Sequence, residues 1–266
     1  MPSVGRLRYI EEPARGSGRP RGTLVLIHGF PFNARMWEPQ RTLAEGGWRV
    51  IAPELRGFGD GASGPPGTSV DDYAGDVIDL LDALHVEEAV IGGLSMGGYV
   101  TLAVFRHAPR YFQGMVLADT RSQADTPEAV EGRKRMIQLV RDRGVAAVTD
   151  EMMPKLLSEA TAKQQPEVVK QLRALMLSSS TDAVAGALTA LMTRPDATPV
   201  LPTIHCPTLI LVGEADAITP PALSEEMHRR IAGSTLVIIP RAGHVASLEQ
   251  PTAFNQALAG FLAHRV

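Results

Sequence analysis

The sequence predicts an α/β fold: a mostly parallel central sheet, helices on both faces and a helical insertion. Three observations support this. Short apolar runs alternate with helical patterns along most of the chain, and the alternation stops between about residues 121 and 200. Continuously apolar runs, such as 24–27 and 209–212, are typical of parallel strands that are buried on both faces. We therefore expect residues 1–120 and 201–266 to form the core, and 121–200 a helical cap.

Each element follows from local patterns. Seven strands are expected, at residues 7–11, 24–28, 50–53, 89–92, 115–118, 209–212 and 236–239. Helices of the core are expected at 70–84, from just after Ser95 to about 107, and from Pro251 onward. Ser69 and Asp72 resemble a capping box at the start of the first of these helices. Four helices are expected in the insertion, at 127–143, 145–157, 166–177 and 182–193.

Composition excludes several classes of protein. The 266 residues carry 26 Lys and Arg against 29 Asp and Glu, and a net charge of −3 does not indicate a nucleic acid or an anionic membrane as partner. Cys206 is the single cysteine, so no internal disulfide or cysteine-based zinc site is expected. The sequence shows neither a secretory signal nor an apolar run of about 18 residues. These features predict a soluble cytoplasmic protein; the oligomeric state does not follow from them.

The clearest motif is Gly93-Leu94-Ser95-Met96-Gly97. It follows an apolar strand and precedes a helix, which is the context of a G-x-S-x-G nucleophile elbow. A turn this tight strains the backbone of its serine, and it needs small residues two positions before and two after. The motif therefore predicts Ser95 as a nucleophile.

A serine hydroxyl needs a general base, and the base needs an acid that orients it. His244 is the expected base, on a loop between the last strand and the last helix. Asp216 and Asp119 each follow a buried strand, and catalytic groups gather at the carboxyl ends of parallel strands. Asp216 is preferred, Asp119 stays open, and Glu214 is a weaker third candidate.

Several motifs together resemble the α/β-hydrolase superfamily over nearly the whole chain: His28-Gly29-Phe30, the serine elbow, Gly213 with Asp216, and Gly243-His244. Residues 53–59 are similar to a loop of the same family, except that Glu54 replaces a more usual Asp. Within the superfamily, the chain is most similar to small capped carboxylesterases and enol-lactonases. The resemblance implies a serine hydrolase that uses no metal or organic cofactor.

An oxyanion hole needs two N–H donors in place before the reaction. One is expected from the backbone of Met96, which follows the nucleophile. The other is expected from Phe30, since Pro31 in the same loop has no N–H. His28 is expected to brace this loop through hydrogen bonds rather than to take part in chemistry.

The insertion contains no aromatic residue and half of the ten methionines, which predicts an aliphatic, adaptable pocket. Trp37 and Met136 are expected to contribute apolar surface to it. Arg133 falls on the apolar face of the first inserted helix. It could bind a substrate carboxylate, or pair with an acid such as Asp150 or Glu151, and the pairing is the preferred interpretation.

The function predicted from these features is hydrolysis of carboxylic esters with short to medium acyl chains. The expected partner is therefore a small-molecule ester or lactone. Lactonase activity, including enol-lactonase activity, is the first alternative, because a lactone is a cyclic ester. Perhydrolysis by the same residues is another. A ligand sensor built on a hydrolase fold is the alternative outside enzymes, and sustained turnover would exclude it.

Overall fold

An eight-stranded sheet forms the centre of the molecule. The structure, a computed structural model, describes residues 1–4, 7–16, 20–59 and 67–264. The strands are β1 (Ser3–Val4), β2 (Leu7–Glu12), β3 (Gly22–Ile27), β4 (Trp48–Glu54), β5 (Ala89–Leu94), β6 (Phe112–Ala118), β7 (Thr208–Gly213) and β8 (Thr235–Ile239).

The strand order is β1-β2-β4-β3-β5-β6-β7-β8. β2 pairs antiparallel with β1 and β4, and every other pairing is parallel. The predicted fold class is therefore confirmed. The sequence analysis missed β1, because two residues are too few to show a periodicity.

Helices cover both faces of the sheet. They are α1 (Val70–Ala83), α2 (Met96–His107), α3 (Pro127–Leu156), α4 (Glu159–Gln164), α5 (Pro166–Leu177), α6 (Thr181–Thr193), α7 (Pro221–Arg230), α8 (Ala246–Glu249) and α9 (Pro251–His264). Two apolar clusters result, one on each face. Val25 and Ile27 of β3 belong to one cluster, and Leu24 and Leu26 belong to the other, because successive strand residues point to opposite faces.

The predicted capping box begins α1. The Ser69 hydroxyl accepts a hydrogen bond from Asp72 N, and the Asp72 carboxylate accepts one from Ser69 N, both at 3.0 Å. A 3-10 helical stretch, Ala34–Gly46, was not predicted. Pro39 and a mixture of polar and apolar residues hide its periodicity.

The segment between β6 and β7 is helical, from α3 to α6. α3 bends at Gly144, where φ is 74°. This position is the boundary predicted between the first two helices of the insertion, 127–143 and 145–157. The short helix α4 was not predicted. Among the described residues, no single helix is long and apolar enough to cross a membrane; α5 and α6 meet the length and composition criteria only as a pair, which is bent by 92°.

Candidate active site

Ser95 lies on the turn between β5 and α2, with a φ of 55° and a ψ of −112°. Few residues other than glycine adopt a positive φ. Hydrogen bonds hold this strained backbone in place: Ser95 N donates to Ala118 O, and Gly98 N donates to Ser95 O, both at 2.9 Å. Neighbouring backbone therefore determines the direction of the Ser95 side chain.

Two glycines make the turn possible. A Cβ atom on Gly93 would lie 2.4 Å from the carbonyl carbon of Gly97. A Cβ on Gly97 would lie 2.1 Å from the carbonyl oxygen of Ile27. Both distances are far below van der Waals contact, so the spacing of the motif follows from steric exclusion.

The structure brings Ser95, His244 and Asp216 into one hydrogen-bonded chain. His244 Nε2 lies 2.9 Å from Ser95 Oγ. His244 Nδ1 lies 3.0 and 2.9 Å from the two carboxylate oxygens of Asp216. His244 is 2% exposed and Asp216 3%, so solvent competes little for these bonds. A hydroxyl, an imidazole and a carboxylate in this order can move a proton away from the hydroxyl oxygen.

The Asp216 carboxylate receives three further hydrogen bonds. Ile218 N and Thr219 N donate to it at 2.8 and 2.9 Å, and the Thr219 hydroxyl donates at 2.6 Å. Burial alone would raise the pKa of Asp216, but His244 and these donors outweigh it and hold the pKa below its ordinary value. Asp216 is thus ionised at neutral pH. The sequence analysis missed Thr219, although its position three residues after Asp216 is typical of a side chain–backbone turn.

Asp119, the competing candidate acid, is fully buried beside this chain of residues. Its carboxyl group accepts hydrogen bonds from Gly213 N at 2.8 Å and Ala246 N at 3.3 Å. Burial, and then the charge of Asp216, raise the pKa of Asp119 well above its ordinary value. Asp119 therefore links the loop before Asp216 to the loop after His244, and it is Asp216 that contacts the imidazole.

Phe30 and Met96, the expected oxyanion donors, flank Ser95. Phe30 lines the same pocket as Ser95, and Met96 is the first residue of α2. Within the described residues, neither backbone N–H donates a hydrogen bond. Their N–H groups therefore remain available to an oxygen that gains negative charge.

His28 is buried and braces the Phe30 loop, as expected. Its Nδ1 donates to Gly29 O at 2.9 Å, and its Nε2 accepts from Leu55 N at 3.1 Å. Burial lowers the pKa of His28 to about 4. The ring is therefore neutral at neutral pH. This agrees with its hydrogen bonds, because only a neutral imidazole has one nitrogen that donates and one that accepts.

Ser95 opens into a pocket of about 410 Å³, part of which is open to solvent. Core strand ends and inserted helices both contribute to its lining. In the described part of the chain, no group of three His, Cys, Asp or Glu side chains could hold a metal ion. The described residues that line the pocket are Phe30, Ser95, Tyr99, Arg121, Arg133, Met152, Leu191, Ile218, Thr219 and His244.

Two residues expected in the pocket lie elsewhere. Trp37 is 1% exposed and packs against Phe254, with ring centroids 6.2 Å apart, in the core of one sheet face. Its predicted role in binding substrate is wrong, because an apolar ring this large is buried by the helical layer. Met136 packs partly buried against the other apolar cluster and is not among the lining residues. Met152 takes the place expected for it.

Arg133 faces the pocket, and it pairs with an acid of the insertion, although with neither of the two acids named as examples. It pairs with Asp125, whereas Asp150 pairs with Arg173 at 2.7 Å. The apolar periodicity of the helix correctly placed Arg133 on the inward face. It could not identify Asp125, which lies before the helix begins.

Glu249, a buried carboxylate that the sequence analysis did not identify, supports the His244 loop. It is 1% exposed. One oxygen accepts from Gly243 N at 2.7 Å, and the other accepts from Ser158 N at 2.8 Å. His244 N in turn donates to Leu156 O at 2.9 Å. The backbone on both sides of Gly243 is therefore tied to the end of α3 and the residues that follow it.

Glu249→Gln is expected to lower both the melting temperature and the reactivity of Ser95. An amide has one acceptor oxygen, so its NH₂ group would face a backbone N–H, at a cost of about 1–3 kcal/mol. A displaced His244 loop should slow the reaction of Ser95 with an organophosphate by about ten- to a hundredfold. Glu225→Gln, in an exposed pair separated by 4.0 Å, is the control. An unchanged labelling rate would limit Glu249 to a role in stability.

Comparisons with known proteins identify the family of the chain. A model described as the alpha/beta hydrolase family matches residues 24–257. The chain is similar to an esterase from Thermogutta terrifontis, solved with malate bound, at 39% identity and a TM-score of 0.91, covering 97% of this chain and 93% of that one. It is also similar to an enol-lactonase from Burkholderia xenovorans, at 26% identity and a TM-score of 0.88, covering 97% and 96%.

A third relative is 3-oxoadipate enol-lactonase 2 from Acinetobacter baylyi, which is 29% identical over 238 residues, or 90% of this chain and 87% of that protein. The family match spans well over half of the chain and includes Ser95, Asp216 and His244. The chain therefore belongs to the alpha/beta hydrolase family.

Proposed function

We propose that this hydrolase cleaves carboxylic esters with short to medium acyl chains through an acyl-enzyme. The observation that carries the proposal is the hydrogen-bonded chain from Ser95 through His244 to Asp216, with Ser95 facing a pocket. The relatives described above include an esterase and enol-lactonases, whose names denote cleavage of linear or cyclic esters.

In the proposed acylation step, Ser95 Oγ attacks the ester carbonyl carbon while its proton passes to His244 Nε2. The carbonyl oxygen gains negative charge, which the N–H groups of Phe30 and Met96 stabilise. The tetrahedral intermediate then expels the alcohol, whose oxygen takes the proton from Nε2. Asp216 stays ionised and keeps the Nδ1 proton of His244 in place.

In the proposed deacylation step, a water molecule attacks the acyl carbon and gives its proton to His244 Nε2. Ser95 Oγ leaves and recovers that proton, and the carboxylic acid is released. One ester and one water thus give one acid and one alcohol, with no electron transfer.

We further propose that residues 121–200 act as a cap that limits the length of the acyl chain. Arg133, Met152 and Leu191 come from this segment and line the pocket beside Ser95. Two hydrogen bonds, from Ser158 N to Glu249 and from His244 N to Leu156 O, hold this segment against the loop that carries His244.

A chain-length series of 4-nitrophenyl esters tests this size limit. We expect kcat/KM to be highest for short or medium acyl chains and to fall for long ones, because a long chain must displace the inserted helices. Activity should not increase when the substrate forms an interface with water. A maximum at sixteen carbons, or a jump in activity at an interface, would contradict the proposed limit on acyl-chain length.

Lactone hydrolysis is the second candidate, and the inward position of Arg133 favours it for anionic lactones. A panel of lactones assayed beside the esters would separate the two activities. A sensor would bind these compounds without multiple turnovers, so sustained product formation that requires Ser95 distinguishes an enzyme from a sensor.

A further inference from the structure

Three arginines surround one buried carboxylate in the wall of the Ser95 pocket; we call Arg121, Arg133, Arg194 and Asp125 the arginine cluster. Arg121 and Arg194 each lie 2.7 Å from one oxygen of Asp125, and Arg133 contacts the other oxygen. The Asp125 side chain has no exposed surface. Three positive charges against one negative leave two positive charges in excess.

Parts of these arginines are buried without a partner. Within the described residues, the Nε atoms of Arg121 and Arg194 are buried and donate no hydrogen bond. The Arg194 side chain is 3% exposed. It is fixed by the carbonyl oxygens of Leu191 and Gln123, at 2.7 and 2.8 Å, and its guanidinium lies 4.2 Å from the Tyr99 ring centroid. It therefore cannot turn outward to recover its solvation.

The cluster lies between two pockets. Arg121 and Arg133 line the Ser95 pocket. Arg121 and Arg194 line a second, narrow pocket, which shares Tyr99 and Arg121 with the first. The Arg121 and Arg133 side chains are each 21% exposed, so a ligand in the Ser95 pocket can reach positive charge while solvent screens it only in part.

Two further carboxylates of the described structure, Glu226 and Asp216, have partners outside the cluster. Glu226 accepts a hydrogen bond from Gln123 at 2.8 Å and pairs with Arg230 at 3.1 Å, outside the cluster. Asp216 is directed toward His244. Burying unbalanced charge is costly unless a ligand or solvent compensates it, and a bound anion would do so.

We propose that the arginine cluster is an anion subsite, and that the preferred substrates are small esters or lactones that carry a carboxylate. The planar guanidinium groups match the planar, bidentate geometry of a carboxylate. This inference rests on the proposed ester hydrolysis and narrows its substrate class. The sequence analysis preferred a pairing of Arg133 with an acid of the insertion, and Asp125 provides that pairing; the proposal adds a substrate carboxylate as a second partner of the cluster.

Matched esters test the subsite. Monomethyl glutarate and its carboxamide analogue, methyl 4-carbamoylbutanoate, have nearly the same size and differ in charge. Hydrolysis is followed by proton release at constant pH. We expect the carboxylate ester to be preferred in kcat/KM by about ten- to a hundredfold, mainly through a lower KM. A second pair, with the carboxylate on the alcohol portion, shows which side of the scissile bond contacts the cluster.

Arg133→Gln should reduce the preference for carboxylate over carboxamide by about tenfold or more. Arg133→Lys keeps the charge and should retain part of the preference. Asp125 keeps Arg121 and Arg194 in both variants, so the fold is expected to persist, which a thermal melt checks. Arg229→Gln, at a 66% exposed side chain outside the pocket lining, should leave the preference unchanged. Equal losses on both esters would overturn the proposal.

A binding measurement separates this proposal from the proposed function. Titration of the Ser95→Ala variant with glutarate, glutaramide and inorganic phosphate needs no hydrolysis. We expect glutarate to bind more tightly than the other two, and Arg133→Gln to weaken its binding. If glutarate binds but no ester is hydrolysed, the proposed function fails and the anion subsite stands. If glutarate binds no better than glutaramide, or phosphate binds more tightly, the carboxylate subsite is wrong.

Discussion

Ser95→Ala is expected to lower kcat for ester hydrolysis by on the order of a million-fold, as in the measured serine-hydrolase series. The hydroxyl oxygen is the proposed nucleophile, and no other hydroxyl in the described structure lies within hydrogen-bond distance of His244 Nε2. The fold should persist, because the bonds that shape the elbow come from the backbone of Ser95. Initial rates with a short 4-nitrophenyl ester and a thermal melt provide the two measurements.

Ser224→Ala is the matched control for this variant. Ser224 is fully buried on α7, and its hydroxyl has no hydrogen-bond partner among the described residues. Its removal should leave turnover and melting temperature nearly unchanged. An organophosphate should label the wild-type protein at Ser95 alone. Near wild-type turnover in Ser95→Ala would remove Ser95 as the nucleophile.

The sequence predicted the parts of the site that depend on local sterics. Gly93 and Gly97 are required by contacts within a few ångströms of the elbow, so their spacing is visible in the chain itself. Ser95 follows from that spacing. His244 and Asp216 follow from their positions after predicted parallel strands, because the carboxyl ends of such strands lie at one edge of the sheet.

Contacts between distant segments could not be predicted in the same way. Glu249 joins Gly243 to Ser158, and Asp125 gathers three arginines. Neither carboxylate belongs to a local motif. Glu249 gains its role from how the inserted segment sits on the core, and Asp125 gains its role from how the end of α6, at Arg194, returns to the start of the insertion. Trp37 shows a different limit of local patterns. It lies close in sequence to Phe30, which lines the pocket, but its own side chain is buried in the core against Phe254.

Asp216→Asn is expected to lower kcat by about ten thousand-fold, and far more than Asp119→Asn. The two carboxyl groups provide a stringent comparison, because both are buried and both follow neighbouring strands. Only Asp216 contacts His244 Nδ1. An asparagine amide facing Nδ1 would favour the tautomer that is protonated at Nε2, and that nitrogen could then no longer accept the Ser95 proton.

Asp119→Asn should act on stability instead. Its carboxyl group accepts bonds from Gly213 N and Ala246 N, and an amide has one acceptor oxygen for those two donors. We expect a loss of about 1–3 kcal/mol in the free energy of unfolding, with kcat within about tenfold of wild type. Both variants are compared by kcat, normalised to sites that an organophosphate can titrate, and by denaturant unfolding. If Asp119→Asn lost turnover and Asp216→Asn retained it, the acid that orients His244 would be Asp119. The fold and the roles of Ser95 and His244 would stand.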